Sequence, residues 1–573
     1  MAKFVFWCYR QPITATNNLE AKTKKIAENI IPQNIKAISN YEIVKNKHSF
    51  LAIFNNNGHF EQQDDSICIG KTFGKVPNWW KIGTEKPDGN YVLIRNNEDK
   101  QQVEILNDIL GTRAAWFVKT DDFFMLSSSQ RAIVMCLKSF ERNNETIAYM
   151  LSAGCLGPYL SWDKRIKLLP PDSTLFLDIK NWKLDIHTER CVFLSEKKSK
   201  KKHILALQKS IEQTYNEIDI DAKKWQLLLS GGFDSRANYL FLKNKKDLNY
   251  LTWGRVQQEN KTEDDIYISK KIASYYNLPL KIVVLENKTL NFQKVLKNYI
   301  INSEVRTDHI PAFLHNFETW QNFYQQKIIG AIRGDEGFGW LPVYTDFDVR
   351  RSTSFDLLSD FFTAEKMEYF QLPPQHFSEK WQQTKQESRS QWRDRLYHTF
   401  RMPIVLSALS DTVLMYGDIL NPLLSRKIIK QVRTMPDNLR TNKKAFRLIM
   451  QNISPPIAYA KKASWASLED VAQHEKIQQI VKQKLHTNIA TRVFNENWIN
   501  FLLENIKTKE QEVQKKSFKQ QIITKIAQNL PQYMKSMLRL RLLKPKISAN
   551  LFAFRTYLVL EMCELLEKDA QKI

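Results

Sequence analysis

The sequence predicts a two-domain protein, an α+β domain followed by an α/β domain, with a helical extension at the C-terminal end. Up to about residue 195, short apolar runs such as YVLIRNN and STLFLDI alternate with turn signals such as PDGN and PPD, which is typical of antiparallel strands. Farther along, apolar runs alternate with longer helical patterns, as in a parallel sheet; these runs are WQLLLS, LNYLTWG, LKIVVL and KIIGAI. After about residue 350, apolar residues recur every three or four positions and indicate helices.

The domain boundaries follow from these changes of pattern. A chain of 573 residues exceeds what one hydrophobic core usually holds. The lysine-rich run EKKSKKKH is the best candidate for a linker. We therefore expect a first domain at 1–195, a basic linker at 196–204, a second domain at 205–470 and a basic helical extension at 471–573.

Composition narrows the class of protein. Hydrophobic residues make up 43% of the chain and aromatic residues 12%, as in folded globular proteins. We expect no transmembrane segment, because no apolar run approaches eighteen residues, and no signal peptide, because the first apolar run is too short. The six cysteines are scattered without a CxxC pair, which argues against a zinc site or a disulfide framework and predicts a cytoplasmic location.

The net charge of +24 does not by itself identify the binding partner. Ten Lys or Arg and no acidic residue lie between Lys515 and Leu560. A basic surface favours polyanions such as nucleic acid, anionic lipid or phosphorylated intermediates, but lysine runs are equally well explained as solvated helix faces. The segment MKSMLRLRLLKPK at 534–546 fits an interfacial helix or a dock for a partner protein, and equally an amphipathic helix that covers the core.

The most informative stretch is QLLLSGGFDSRANYL at 226–240. An apolar strand runs into Ser230, Gly231 and Gly232, and a helix follows from about Arg236. Glycines at such a turn permit positive φ and leave backbone N–H groups open to an anion, and the helix N-terminus adds further donors. Asp234 beside a phosphate needs a cation between them, so we expect it to ligate Mg²⁺; helix capping is the alternative.

This loop resembles the SGGxDS loop of the ATP pyrophosphatase (PP-loop) family, whose members split ATP between its α and β phosphates. KIIGAIRGDEGFGW at 327–340 is similar to the GEGADELFGG loop of the asparagine synthetase branch, and 421–465 to its C-terminal segment. The resemblance implies that ATP and Mg²⁺ are bound, that Asp234 and Asp335 ligate the metal, and that Lys462 steadies the departing pyrophosphate. The nucleotide-binding residues it implies are Ser230, Gly231, Gly232, Asp234, Ser235, Gly254 and Gly334.

The front of the chain resembles the class II glutaminase domain, an N-terminal nucleophile (Ntn) fold with an αββα sandwich. The matching stretches lie at 89–118, 125–133 and 166–178. That chemistry needs a cysteine with a free α-amino group, whereas this chain begins Met-Ala-Lys and Cys8 lies within a strand. Gly89-Asn90 also replaces the Gly-Asp pair that holds glutamine. We expect a degenerate domain without glutaminase activity.

The sequence also departs from the asparagine synthetase branch at the group that would activate the incoming amine substrate. Ile332 stands where the family has a glutamate that could act as a base. Glu304, Asp308 and His309 are candidates for this role, with a capping cluster as the alternative, and we take Glu304 as the catalytic candidate.

These features predict a ligase that adenylates a carboxylate and joins it to an amine other than glutamine-derived ammonia, as in lasso-peptide cyclases and β-lactam synthetases. The substrates would be peptides or small molecules, which could be anionic, as for a peptide macrocyclase or a natural-product or glycan amide synthetase. Three alternatives stay open: an asparagine synthetase-like enzyme that uses free ammonia, a tRNA-modifying PP-loop enzyme favoured by the positive charge, and a scaffold without activity. The late position of the loop and the unpaired cysteines argue against nucleic acid as the partner.

Overall fold

The computed structural model describes residues 3–14, 18–35, 41–54, 58–254, 264–285, 291–461, 467–507, 530, 534 and 547–573. Its first part, up to Thr188, consists mainly of strands, as the short apolar runs predict. In chain order the elements are β1 (Phe4–Tyr9), α1 (Leu19–Ile30), β2 (Glu42–Lys45), β3 (Ser49–Ile53), β4 (Phe60–Gln63), β5 (Ser66–Phe73), β6 (Asp88–Asn97), β7 (Gln102–Asn107), β8 (Trp116–Lys119), β9 (Phe123–Ser127), α2 (Gln130–Leu137), α3 (Asn144–Ala153), β10 (Lys167–Leu168), β11 (Ser173–Asp178) and β12 (Lys183–Thr188).

These strands form two antiparallel sheets, in the orders β10-β8-β9-β1-β3-β2 and β12-β11-β7-β6-β5-β4. Both sheets contribute to one apolar core, and α2 packs on β8 and β9. The alternation along β6 shows how: Val92 and Ile94 lie in the shared core, whereas Tyr91 and Leu93 pack on the opposite face. Side chains of one strand alternate between the faces of the sheet, so an apolar strand such as β6 is buried on both sides.

The second part alternates helices and strands. Its elements are α4 (Lys200–Glu217), β13 (Trp225–Leu228), α5 (Phe233–Leu242), β14 (Asn249–Gly254), α6 (Asp265–Tyr276), β15 (Leu280–Val284), α7 (Phe292–Ser303), α8 (Glu318–Gln325), β16 (Gly330–Ile332), α9 (Asp346–Ser352), α10 (Ala364–Tyr369), α11 (Arg389–Leu396), a π-helix (Tyr397–Leu406), α12 (Ser407–Asp411), β17 (Asp418–Leu420), α13 (Arg426–Arg433), α14 (Asp437–Arg440) and α15 (Lys444–Ile453). Short 3-10 turns lie at Ala222–Lys224, Ile310–Phe313, Leu358–Asp360, Glu379–Trp381, Pro422–Leu424 and Thr441–Lys443.

The strands of this part form a five-stranded parallel sheet in the order β15-β14-β13-β16-β17. The four strands predicted from apolar runs are confirmed, and β17 is an addition within a stretch that the periodicity assigned to helices. Because β13 pairs with β14 on one side and β16 on the other, the strand order reverses at β13. In parallel sheets, ligands bind in the crevice outside the carboxyl ends of the strands at such a point.

The predicted linker is not a separate segment. Helix α4 begins at Lys200, where the Ser199 side chain accepts a hydrogen bond from Lys202 N, and His203 is buried. Lysines 200–202 therefore form the exposed first turn of a helix that packs on α13 and α15.

The last described helices are α16 (Leu468–Ala472), α17 (Glu475–Leu485), α18 (Asn488–Val493), α19 (Glu496–Asn505) and α20 (Ala549–Asp569). Helix α20 is largely buried and forms ion pairs with both earlier parts: Arg555 Nε lies 2.7 Å from Asp308 Oδ2, and Asp569 lies 2.6 Å from Arg131 Nε. Helix α20 thus packs into the core. The predicted interfacial segment 534–546 lies outside the described residues except for Met534. No helix of the described residues is long and apolar enough to cross a membrane.

Candidate functional site

The loop between β13 and α5 is held together by two serines. Ser235 Oγ accepts a hydrogen bond from Ser230 N at 3.0 Å and lies 2.8 Å from Ser230 Oγ, which in turn accepts from Gly232 N at 3.2 Å. Helix α5 begins at Phe233, directly after this turn. The hydroxyl groups that the sequence suggests as ligand donors therefore also fix the loop against the first turn of the helix.

Close packing, and not positive φ, explains the first glycine of this loop. Neither Gly231 nor Gly232 has a positive φ, contrary to our expectation. A Cβ atom on Gly231 would lie 2.7 Å from Ala460 Cβ and 2.8 Å from Ile268 Cβ, so a side chain has no room there. Gly231 N also donates to Asp265 Oδ1 at 3.2 Å, which ties the loop to the start of α6.

The loop after β16 packs directly against the first turn of α5. A Cβ atom on Gly334 would lie 2.8 Å from Asp234 Cβ and 2.9 Å from Ser235 N. This approach explains why the position is glycine. It also brings Asp335, the next residue along the chain, into the neighbourhood of Asp234. The structure thus brings together the loops that the sequence predicts to share a site.

Carboxylates and one lysine gather at this contact. Lys443 Nζ lies 2.9 Å from Asp234 Oδ2 and 2.8 Å from Glu336 Oε1. Asp335 Oδ1 lies 3.3 Å from Arg333 Nη2. Sequence reasoning missed Lys443, since the run TNKKAF before α15 contains two adjacent lysines and gives no sign of which one turns toward the loop.

The electrostatics of this cluster favour an additional cation. Burial raises the pKa of Asp234 to about 6, with Glu336 and Asp335 adding to the shift and Lys443 opposing it. Burial alone would lower the pKa of Lys443, but the attraction of Glu336 and Asp234 raises it above its ordinary value. Three carboxylates therefore share one lysine and one arginine.

Two carboxylate oxygens of the cluster lack partners. Among the described residues no group hydrogen bonds to Asp234 Oδ1 or Asp335 Oδ2, although both atoms are buried. Within the same residues no cluster of three or more His, Cys, Asp or Glu could hold a metal. Two carboxylates nevertheless suit Mg²⁺, which proteins usually hold through one or two acids together with substrate phosphates. The donor set fits the predicted metal.

A segment after α15 closes over the loop. Ala460 N donates to Gly231 O at 3.0 Å, and Tyr459 stacks on Phe233 with ring centroids 3.5 Å apart. Arg236 fixes this segment. Its guanidinium carbon lies 3.9 Å from the ring centroid of Tyr459, and its N–H groups donate to the carbonyl oxygens of Ile457 and Ala458. The predicted catalytic Lys462 lies outside the described residues, two positions beyond Ala460.

A small cavity of about 130 Å³ opens at the carboxyl ends of β13 and β14. Its walls include Leu229, Ser230, Thr252, Trp253 and Asp265. The predicted nucleotide-binding Gly254 ends β14 next to this cavity, and its carbonyl oxygen accepts from Leu285 N at 2.7 Å. The cavity combines an apolar wall with the polar edge of the loop.

The predicted catalytic Glu304 is engaged elsewhere. Its buried carboxylate accepts hydrogen bonds from Ser129 Oγ and, at 2.7 Å, from Gln130 N, and Lys3 Nζ lies 3.6 Å away. Glu304 thus holds the N-terminus of α2 in the first part of the chain. These contacts assign Glu304 a structural role at the junction of the two parts and do not support a catalytic one.

The neighbouring candidates are engaged too. Asp308 pairs with Arg555 and, at 3.1 Å, with His309, and although burial opposes the shift, Arg555 lowers the pKa of Asp308. The capping alternative therefore describes this segment best.

The residues predicted as glutaminase remnants are buried. Burial raises the pKa of the Cys8 thiol well above its ordinary value. Asn90 is fully buried, and its Oδ1 accepts a hydrogen bond from Asn421 N at 2.8 Å. Asp88 accepts from Arg426 N at 2.6 Å and from Ser425 Oγ at 2.8 Å, so that it caps α13. This edge of the sheet binds the second part of the chain.

Comparisons with known proteins add little to this geometry. No family model and no curated protein matches the sequence. Among solved structures, a glutamine phosphoribosylpyrophosphate (PRPP) amidotransferase from B. subtilis, complexed with ADP and GMP, is similar over 64% of this chain and 88% of that chain. The TM-score is 0.18 and the sequence identity 9%. At these values the likeness supports no conclusion about fold family or function.

Proposed function

We propose that this protein is an ATP-dependent ligase of the PP-loop type, which adenylates a substrate carboxylate and joins it to an amine that does not come from glutamine. One observation carries the proposal. Gly334 packs against the first turn of α5, so that Asp234 and Asp335 lie at one contact, each with a buried oxygen that lacks a partner among the described residues. Such a pair at a helix N-terminus suits a metal-bound polyphosphate.

Asp234 and Asp335 would hold Mg²⁺ through these oxygens. The bound metal would neutralise phosphate charge that otherwise repels both carboxylates. The first turn of α5 has backbone N–H groups without intrahelical partners, which suit phosphate oxygens. The cavity beside Trp253 and Gly254 would take the base of the nucleotide. Lys443 would hold Asp234 and Glu336 in place through its two short contacts.

The reaction has two steps. In the first, an oxygen of the substrate carboxylate attacks the α-phosphorus of ATP, and pyrophosphate leaves with the bridging oxygen. In the second, the amine attacks the acyl carbon, and AMP leaves with the carboxylate oxygen while the amine loses a proton. Lys462 would meet the charge on pyrophosphate. The bond between Ala460 N and Gly231 O supports this assignment, because it fixes the preceding residues above the loop.

We further propose that the first part of the chain is a degenerate Ntn-type domain that supports the ligase without releasing ammonia. Asn90 and Asp88 bind the backbone of the second part, at the edge where glutamine would be held. Cys8 is buried within β1 and has a raised pKa, so it is a poor nucleophile. The amine must then come from the solution or from the substrate itself.

The test is the release of AMP and pyrophosphate by purified full-length protein with Mg²⁺-ATP, incubated separately with peptide and metabolite fractions of a cell lysate. We expect both products with one fraction, and neither with Asp234→Asn. Asp185→Asn, which changes an exposed aspartate of β12, serves as the matched control and should retain the activity. Formation of ADP in place of AMP would exclude adenylation. Glutamine-dependent release of ammonia would show that the first part of the chain is an active glutaminase and not a degenerate one.

A further inference from the structure

A large cavity lies away from the proposed nucleotide site, where the chain leaves β12 and meets α11 and α13. Its volume is about 670 Å³. Ile109, Tyr159, Pro170, Pro171 and Phe193 supply apolar walls. Cavities of roughly 300–1,000 Å³ with apolar walls and a few polar groups are typical of small-molecule sites.

Two of the four acidic residues that line this cavity are already neutralised. Glu387 forms a bidentate pair with Arg395, at 2.6 Å and 2.9 Å. Asp172 pairs with Arg426 at 2.6 Å and with Lys86 at 3.6 Å. The remaining acids, Glu189 and Glu379, are exposed at the rim, where solvent screens them.

Three basic side chains of the wall, Arg190, Lys380 and Arg433, have no such partner among the described residues. Arg190 and Lys380 are exposed, whereas Arg433 is half-buried. Among the described residues, no carboxylate lies within ion-pair distance of Arg433 or Lys380. Arg433 Nε donates to His398 Nδ1 at 3.4 Å. The Lys380 ammonium lies over Tyr159 and Trp381, 5.3 Å and 5.2 Å from the ring centroids. The half-buried Arg433 carries the argument, because a partly desolvated cation without a counter-charge favours an anion beside it.

We propose that this cavity binds an organic anion with an apolar body, whose charged group pairs with Arg433 and Lys380. The apolar part would lie against Phe193, Pro170 and Pro171. An anionic head with two or more acceptor oxygens suits Arg433, whose guanidinium can donate two parallel hydrogen bonds. The segment that carries Phe193 is held in place by the bond from Leu194 N to Arg433 O, at 3.0 Å.

The cavity is separate from the nucleotide site but adjoins it through one side chain. His398 Nε2 lies 2.9 Å from Gly337 O, in the loop that carries Asp335, while its Nδ1 receives the bond from Arg433. Burial lowers the pKa of His398 to about 3, so the ring is neutral and donates from Nε2. None of the residues of the 230–235 loop lines the cavity. The proposal therefore stands independently of the ligase activity.

Calorimetric titration of the full-length protein with two probes tests the site. Naphthalene-2-sulfonate and naphthalene-2-sulfonamide have nearly the same shape, but only the first is an anion. We expect saturable binding of the sulfonate at one site, about tenfold tighter than the sulfonamide. Arg433→Gln and Lys380→Gln should each remove most of this preference, whereas Lys197→Gln, outside the cavity and exposed, should keep it.

Two further measurements make the result decisive. Thermal unfolding of each variant shows whether it is folded, and only variants that melt like the wild type are compared. Asp234→Asn should bind the sulfonate as the wild type does, so a failed ligase would leave this result intact. Equal binding of the two probes, or a preference for the anion that survives both cavity substitutions, would overturn the proposal.

Discussion

Replacing Lys443 by methionine removes the one ammonium group that lies between Asp234 and Glu336. The side chain of Lys443 is 16% exposed, that of Glu336 4% and that of Asp234 27%. Methionine keeps most of the length and apolar stem of lysine but carries no charge. The variant therefore leaves two carboxylates, together with Asp335, facing one another with only Arg333 nearby.

The expected cost is substantial. Removing one partner of a buried pair costs about 3–5 kcal/mol, and because Asp234 keeps some contact with solvent we take the lower end, about 3 kcal/mol. For a chain of 573 residues that unfolds as one unit, this lowers the melting temperature by about 2–3 °C. The proposed Mg²⁺ would bind the folded cluster and supply the missing positive charge, so the proposal predicts that saturating Mg²⁺ restores most of this loss.

Differential scanning calorimetry with and without Mg²⁺ measures both effects. Lys444→Met is the matched control, because the neighbouring lysine is exposed on α15. It should melt like the wild type under both conditions. If Lys443→Met and Lys444→Met melt together with and without Mg²⁺, the electrostatic reasoning about this cluster is refuted.

Three other outcomes follow from the same contacts. Burial raises the pKa of Asp234 from 3.8 to about 6, so between these values its ionisation should lower the stability of the Mg²⁺-free protein as pH rises. The affinity for Mg²⁺ should increase over the same range, because the metal binds the ionised carboxylate. Asp234→Asn should weaken both pH dependences, measured by thermal unfolding and by calorimetric titration with Mg²⁺ at several pH values. Gly334→Ala should abolish AMP formation, because its Cβ would lie 2.8 Å from Asp234 Cβ; full activity in a steady-state assay would contradict this packing. Glu304→Gln should lower stability by about 1–3 kcal/mol while AMP formation per folded molecule stays unchanged, since its partners lie in the first part of the chain; a loss of rate without a loss of melting temperature would return Glu304 to the catalytic site.

The sequence predicts the sheet and the loops at its edge because both depend on local signals. Apolar runs of β-branched and leucine residues identify β13 to β16, and glycines next to aspartates mark the loops that follow two of them. The carboxyl ends of neighbouring parallel strands lie at one edge, so Asp234 and Asp335 could be expected to meet. Strand β17 was missed because three residues, Asp418–Leu420, are too few to show a period.

Contacts between residues far apart in the chain could not be predicted. Glu304 caps a helix that begins 174 positions earlier, and Lys443 reaches an aspartate 209 positions away. No spacing in the sequence reports such pairs. Likewise, the basic run at 196–204 has the composition of a linker, but the capping bond of Ser199 and the buried face of α4 make its second half a helix.

The most direct test of the central claim is the affinity of the purified protein for α,β-methylene-ATP, measured by calorimetry with and without Mg²⁺. The proposed site predicts tight binding that requires Mg²⁺, and loss of that Mg²⁺ dependence in both Asp234→Asn and Asp335→Asn but not in the exposed control Asp185→Asn. An affinity for the analogue that does not depend on Mg²⁺, or that is unchanged when both carboxylates are removed, would contradict the assignment of these loops as a magnesium-nucleotide site.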